Sequence, residues 1–308
     1  MSPETGPEIV VIGSVNLDLV VTVPALPQPG ETVLATSYDE FVGGKGSNQA
    51  IAAARLGRDV AFVGRIGDDA AGTAVRAALA DEGVDVARLS PTPGEKTGRA
   101  FVQVDERAEN SIIVASGANS RLSADDVDGA APCVRDAAVV VAQLEVPLDA
   151  VRAAARLAHG TFVFNPAPAR RLDPELLGLV DVLVVNQGEF EVVTGEPAAE
   201  DAASMRVAVA RTDLPGSVVV TLGARGALVW HDGELHSVPA PVVEAVDTTG
   251  AGDTFVGALA DALARGEALL DAARWAVCAA SLSTLSLGAT TAMPRSAQVA
   301  ELRALSAS

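Results

Sequence analysis

Ala137-Ala138-Val139-Val140-Val141-Ala142 sets six apolar residues in a row with no polar residue among them. A strand with one wet face alternates apolar and polar side chains. An unbroken, β-branched run this short is instead a strand covered on both faces, as in a parallel sheet. Similar runs recur at residues 8–12, 60–63, 161–164, 182–185 and 217–220. Between them lie alanine-rich amphipathic stretches at residues 46–56, 71–82 and 148–159. Each is followed by a glycine, Gly57, Gly83 or Gly160, where a left-handed helix cap is expected. Strands and helices alternating in this way predict an α/β fold, a doubly wound and mainly parallel central sheet sandwiched by helices.

Two stretches break the rhythm. Residues 20–42 and 98–119 carry Pro, Gly and alternating apolar and polar positions, as in Arg99-Ala100-Phe101-Val102-Gln103-Val104. They predict a small antiparallel sheet outside the main one, placed as a lid, with ordinary surface hairpins as the alternative. The core then comprises residues 1–19, 43–97 and 120–308. At 308 residues such a chain can bury roughly 75% of its unfolded surface, enough for a full core without staples. Hydrophobic residues make up 49% and aromatic ones only 3%, so Ala, Val and Leu must build that core.

Composition also excludes functions. Cys133 and Cys278 stand far apart with no ligand spacing, which argues against a zinc site or a disulfide framework. The first residues show no basic segment leading into a long apolar one, and no window approaches the ~18 apolar residues of a membrane helix. A cytoplasmic protein is expected. With 22 basic against 40 acidic residues, the net charge of −18 repels phosphate backbones and anionic lipid, so nucleic acid and membranes are poor partners.

In open parallel sheets, ligands bind beyond the carboxyl ends of the strands. There the apolar runs give way to Asn16 and Asp18, Glu145, Asn165, Asn186 and Thr221. Each alone could be a turn residue; together on one sheet edge they describe a binding site. Asp247-Thr248-Thr249-Gly250-Ala251-Gly252-Asp253-Thr254-Phe255 then leads into apolar positions at helical spacing, with Gly266 as the stop. Gly250, Ala251 and Gly252 form a small-residue turn feeding a helix N-terminus, whose N–H groups make an anion site. Asp253 beside it either caps the helix or accepts a proton next to a transferring phosphoryl group. Gly43-Gly44-Lys45-Gly46-Ser47-Asn48 opens another helix without Walker spacing. Gly223-Ala224-Arg225-Gly226 suits a strand–turn–strand under a nucleotide. Asn186 and Glu189, three apart, either form a capping box or orient water around Mg²⁺. His159, His231 and His236 sit at element ends and read as surface residues.

These pieces, in this order, resemble the ribokinase family, the phosphofructokinase-B-type carbohydrate kinases. The resemblance rests on residues 13–18, 43–48, 165–169, 186–189 and 247–253, and covers about residues 8–295. It implies ATP-dependent phosphoryl transfer to a sugar hydroxyl, ribose O5 above all, in a homodimer joined through the lids. It also implies that Asn16, Asp18, Gly44, Lys45, Gly46, Asn48 and Glu145 hold the sugar. Asp253 would be the base and Gly250, Ala251 and Gly252 the anion hole. Asn186, Thr221, Gly223, Gly226 and Gly252 would line the ATP site, with Mg²⁺ near Asn186 and Glu189. A K⁺ site would use Asp247 and Thr249 with carbonyls near Ser283, Ser286 and Gly288, although Ala292 stands where a side-chain oxygen is expected. Other expectations remain open: a kinase for a nucleoside, a ketohexose phosphate or a keto-deoxy sugar acid, or a non-catalytic sugar-binding regulator. A nicotinamide-dependent oxidoreductase lacks its G-x-G-x-x-G after the first strand.

Overall fold

The computed structural model describes residues 6–306 except 108, 200, 201, 213 and 215; parts of the domain bounds given above fall outside these described residues. The strands are, in chain order, β1 (Ile9–Ile12), β2 (Asn16–Val23), β3 (Ser37–Gly43), β4 (Val60–Gly67), β5 (Asp85–Thr92), β6 (Arg99–Asp105) and β7 (Asn110–Ala115). There follow β8 (Val139–Gln143), β9 (Thr161–Asn165), β10 (Val182–Asn186), β11 (Ser217–Thr221), β12 (Ala227–His231) and β13 (Glu234–Val238). Every apolar run of the sequence is a strand of one nine-stranded sheet, ordered β13-β12-β11-β10-β9-β8-β1-β4-β5. From β11 to β5 all neighbours are parallel. The edge hairpin β11-β12-β13 is antiparallel, turning at Gly223–Arg225 as a strand–turn–strand.

Successive residues of β1 enter opposite layers. Ile9 and Val11 pack with the helices Lys45–Arg55, Ala251–Ala264 and Leu269–Ser283. Val10 and Ile12 pack with Leu148–Leu157 and Gln187–Thr194. Burial on both faces is why these strands carry no polar alternation.

Of the expected glycine caps, Gly57 (φ 100°) and Gly83 (φ 84°) are left-handed, and Gly160 is not. The helix ends at Leu157 with Ala158 extended. A Cβ on Gly160 would lie 2.3 Å from the Ala138 carbonyl oxygen, so glycine serves close approach there rather than capping.

The small sheet is ordered β3-β2-β6-β7. Its outer pairs are antiparallel, while the central pair β2–β6 is parallel, because the chain visits the main sheet between them. β2 begins at Asn16, so Asn16 and Asp18 stand on a lid strand rather than in the main sheet's loops. The chain runs from β1 outward to β4 and β5, then returns to β8 on the other side of β1. The carboxyl ends of β1 and β8 therefore meet at a switch point, where an open sheet forms its crevice. No helix among the described residues is long and apolar enough to cross a membrane.

Candidate active site

At the switch point the loops after β1 and β8 are tied together. Ser14 Oγ donates to Glu145 Oε2 at 2.6 Å, and the Lys45 backbone N–H donates to the same oxygen at 3.0 Å. Gly46 lies so close to β1 that a Cβ would sit 2.7 Å from the Ser14 N and O, which explains glycine here. Asn119, not singled out in the sequence, joins this set of contacts. It accepts from the Val15 N–H at 3.0 Å and donates to Asn16 Oδ1 at 2.8 Å. Burial pushes the Asp18 carboxyl up to about 6; a hydrogen bond to the Ala100 backbone opposes this and the nearby Glu145 charge adds to it. Its Oδ1 is buried without a hydrogen-bond partner.

Asp253 sits in the first turn of Ala251–Ala264, after Gly250 in the left-handed region (φ 76°), and only 8% of it is exposed. Asn48 Nδ2 donates to its Oδ2 at 2.9 Å and Gln49 Nε2 to its Oδ1 at 3.0 Å. Burial raises the carboxyl above the usual carboxylate range; the Lys45 ammonium and these two amides oppose the rise. Lys45 is itself raised, first by the Asp253 charge. Of the anion-hole residues, the Ala251 N–H donates to the Thr248 carbonyl at 3.2 Å. Gly252 and Asp253 contribute the orphan N–H groups of the first turn.

Three cavities line up across this centre. One of about 450 Å³ is walled by Asn16, Lys45, Asn119, Glu145 and Val114 of β7. A middle one of about 160 Å³ holds Asp253 with Lys45, Asn186, Glu189, Gly250 and Gly252. The third, about 310 Å³ and mostly apolar, includes Thr221, Gly223, Gly226, Val243, Gly252 and Phe255. Lys45 is shared by the first two, Thr221 and Gly252 by the last two. A chamber edged by Asn16, Lys45 and Glu145, a narrow passage holding the Asp253 carboxylate, and an apolar slot are thus joined through shared wall residues.

This chain matches the pfkB family carbohydrate kinase model over residues 7–296. The chain belongs to the pfkB family of carbohydrate kinases. Among pfkB kinases, a ribokinase of Haemophilus influenzae is 40% identical over 290 residues, covering 93% of this chain and 95% of its own. A deoxyribokinase of Salmonella typhi is 36% identical over 306 residues, covering 97% and 99%. The structure of Arabidopsis thaliana ribokinase complexed with ribose and ATP superposes with a TM-score of 0.89 at 35% identity, covering 97% of this chain and 99% of that one.

The remaining predicted residues of this pfkB kinase fall at two places. Asn186 and Glu189 form a reciprocal capping box, Asn186 N–H to Glu189 Oε2 at 2.8 Å and Glu189 N–H to Asn186 Oδ1 at 2.9 Å. Both residues of the box line the middle cavity. Asp247 accepts from the Thr249 N–H at 2.9 Å and the Gly288 N–H at 2.8 Å. Burial pushes its carboxyl up, but the Thr249 hydroxyl and these two amides hold it below the usual range. Asp247, Thr249 and Gly288 are therefore together; the Ser283 hydroxyl, as distinct from the carbonyls expected there, donates to the Ala280 carbonyl at 2.8 Å. His159 and His231 are exposed, and His236 is half-buried.

Proposed function

We propose that this chain phosphorylates D-ribose on O5 with Mg·ATP, the sugar in the 450 Å³ chamber and the base and ribose of ATP in the apolar slot. The observation that carries the reading is Asp253, standing in the passage that joins the two. Asn16, Asp18, Gly44, Lys45, Gly46, Asn48 and Glu145 would position the sugar. Asp253 would accept the O5 proton as that oxygen attacks the γ-phosphorus and the bond to the ADP leaving oxygen breaks. The N–H groups at Gly252 and Asp253, with Lys45, would receive the charge spread over the phosphoryl oxygens. A preorganised donor of this kind contributes about 3 kcal/mol and a positioned base ~10²–10⁴-fold. The oxygen donors Asn186 and Glu189 fit a water-ringed Mg²⁺, which would neutralise phosphate charge.

Asp247 and Thr249, with carbonyls near Ser283, Ser286 and Gly288, would supply the oxygens of a K⁺ site beside Gly250–Gly252. Two chains would pair through their lids, and a reaction consuming ATP belongs in the cytoplasm. ATP-to-ADP conversion by purified protein with Mg²⁺ and ribose, in K⁺ and again in Na⁺, tests the reading. Turnover dependent on ribose and faster in K⁺ is expected; no turnover in either salt would sink the ribose assignment. Asp253→Asn should lower turnover at least 10²-fold while ribose still binds. The Salmonella typhi deoxyribokinase makes 2-deoxyribose the second reading, and kcat/KM for the two sugars side by side decides between them.

A further inference from the structure

Behind Asp253 runs a chain of buried amides that reaches the middle cavity only at Asn165. Gln143, the last residue of β8, donates from Nε2 to Gln49 Oε1 at 2.7 Å. Gln49 Nε2 donates onward to Asp253 Oδ1 at 3.0 Å and to Asn165 Oδ1 at 3.2 Å. Asn165 Nδ2 closes the chain on the Val184 carbonyl at 2.9 Å. Gln49 and Gln143 are both 0% exposed, and neither lines any of the three cavities.

A primary amide can present its oxygen or its nitrogen, and its neighbours decide which. Because Gln143 donates to Gln49 Oε1, the Gln49 NH₂ is turned towards Asp253. The opposite orientation would set two acceptor oxygens against each other in a buried place, with no proton between them. Gln143 is held on its other side by packing alone: its buried Oε1 has no hydrogen-bond partner, and a Cβ on Gly13 would sit 2.1 Å from it. The family motif that drew attention to residues 43–48 stops one residue short of Gln49.

We propose that Gln49 and Gln143 are positioning residues for the transfer: the relay fixes how the Asp253 carboxylate faces O5 and keeps it ionised, without either residue touching substrate. This rests on Asp253 being the base. Burial favours the protonated acid, which cannot accept a proton, and a hydrogen bond to the charged form counters that. The charged groups facing the passage are Lys45 from its helix, Glu145 after β8 and Glu189 after β10, with Asp18 beyond Glu145 on the lid. All of them are unchanged in the variants below.

The test compares kcat against pH for the wild type, Gln49→Met, Gln143→Met and Asp253→Asn, with thermal midpoints and ribose affinity measured alongside. Methionine keeps the length of the side chain and removes its donors. Gln49→Met should move the acid limb of kcat to higher pH, on the order of one unit for one lost donor. Gln143→Met should move it in the same direction by less, although Gln143 makes no contact with Asp253. Ribose affinity at neutral pH should stay within about twofold, since the sugar contacts remain. A folded variant whose acid limb coincides with that of the wild type overturns the relay, as would a loss seen only in the thermal midpoint. If Gln49→Met does not fold, Gln143→Met decides the matter alone. Near-full activity of Asp253→Asn is a separate outcome, removing the base rather than its positioning.

Discussion

Asp18 shows how one side chain on the small sheet can carry a pH response. Its carboxyl is pushed up to about 6 by burial, so the acid is partly protonated in a range where ordinary carboxylates are not. An ionised carboxylate accepts hydrogen bonds from two sugar hydroxyls, and the protonated acid accepts fewer. Ribose affinity should therefore be full above about pH 7 and fall as pH drops through 6, approaching tenfold per unit below it. Calorimetric titration of ribose without ATP, from pH 7.5 to 5, measures this. Asp18→Asn should bind more weakly at pH 7.5 and show a flat profile; a wild-type affinity that does not change across the range would refute the assignment. At this scale much was legible in the sequence. Asn16, Lys45, Glu145, Asn186 and Asp253 all reach the cavities: Glu145 and Asn186 at the carboxyl ends of buried strands, Lys45 and Asp253 in the first turns of glycine-led helices, and Asn16 where the lid strand begins. Asn119, Gln49 and Gln143 were not legible. Each acts through a partner about a hundred positions or more away, and spacing along a chain does not encode such a pairing.

At the scale of elements, the site depends on how closely two helices cross. Asn48 and Gln49 on Lys45–Arg55 reach Asp253 only because Gly257, one turn beyond Asp253, lets the helices touch. A Cβ at Gly257 would lie 2.6 Å from both the Gln49 carbonyl oxygen and the Ala52 Cβ. Two effects oppose each other in Gly257→Ala. Helix propensity favours alanine by about 0.8–1 kcal/mol. Overpacking a tight contact costs about 1–3 kcal/mol, and one of the contacts is backbone and cannot swing aside. Overpacking wins, so the variant should be less stable in urea, with turnover reduced further than stability alone accounts for. A variant as stable and as active as wild type would show that the crossing has slack. The sequence announced both helices and their start signals. It did not announce that they cross at a glycine, since Gly257 falls within a helical pattern where it reads only as a weak position. The edge strand β13 was missed for a related reason: largely open to water, it has none of the apolar continuity that marked the buried strands.

At the scale of the whole molecule, the lid is where the fold is unfinished. Its order β3-β2-β6-β7 leaves two open edges, and β7 is exposed along its whole length. Ile112 is 54% exposed, Ile113 62% and Val114 50%, an apolar strip that a lone molecule with an open edge should blunt with charge. Val114 also lines the 450 Å³ chamber proposed for the sugar, so whatever covers this strip would border the substrate. A second copy is the partner that fits, because its own lid presents the same strip and the same open edge, and the pairing closes on itself. The expectation is a species of twice the chain's mass by sedimentation equilibrium at micromolar protein. Replacing Ile112 and Ile113 together by Lys should return a monomer, with KM for ribose raised several-fold and KM for ATP little changed, since the apolar slot lies on the far side of Asp253. A wild type that sediments as a monomer would leave the strip without this explanation. A double variant that is monomeric with an unchanged KM for ribose would separate assembly from the site, making the lid's closure a property of each chain alone.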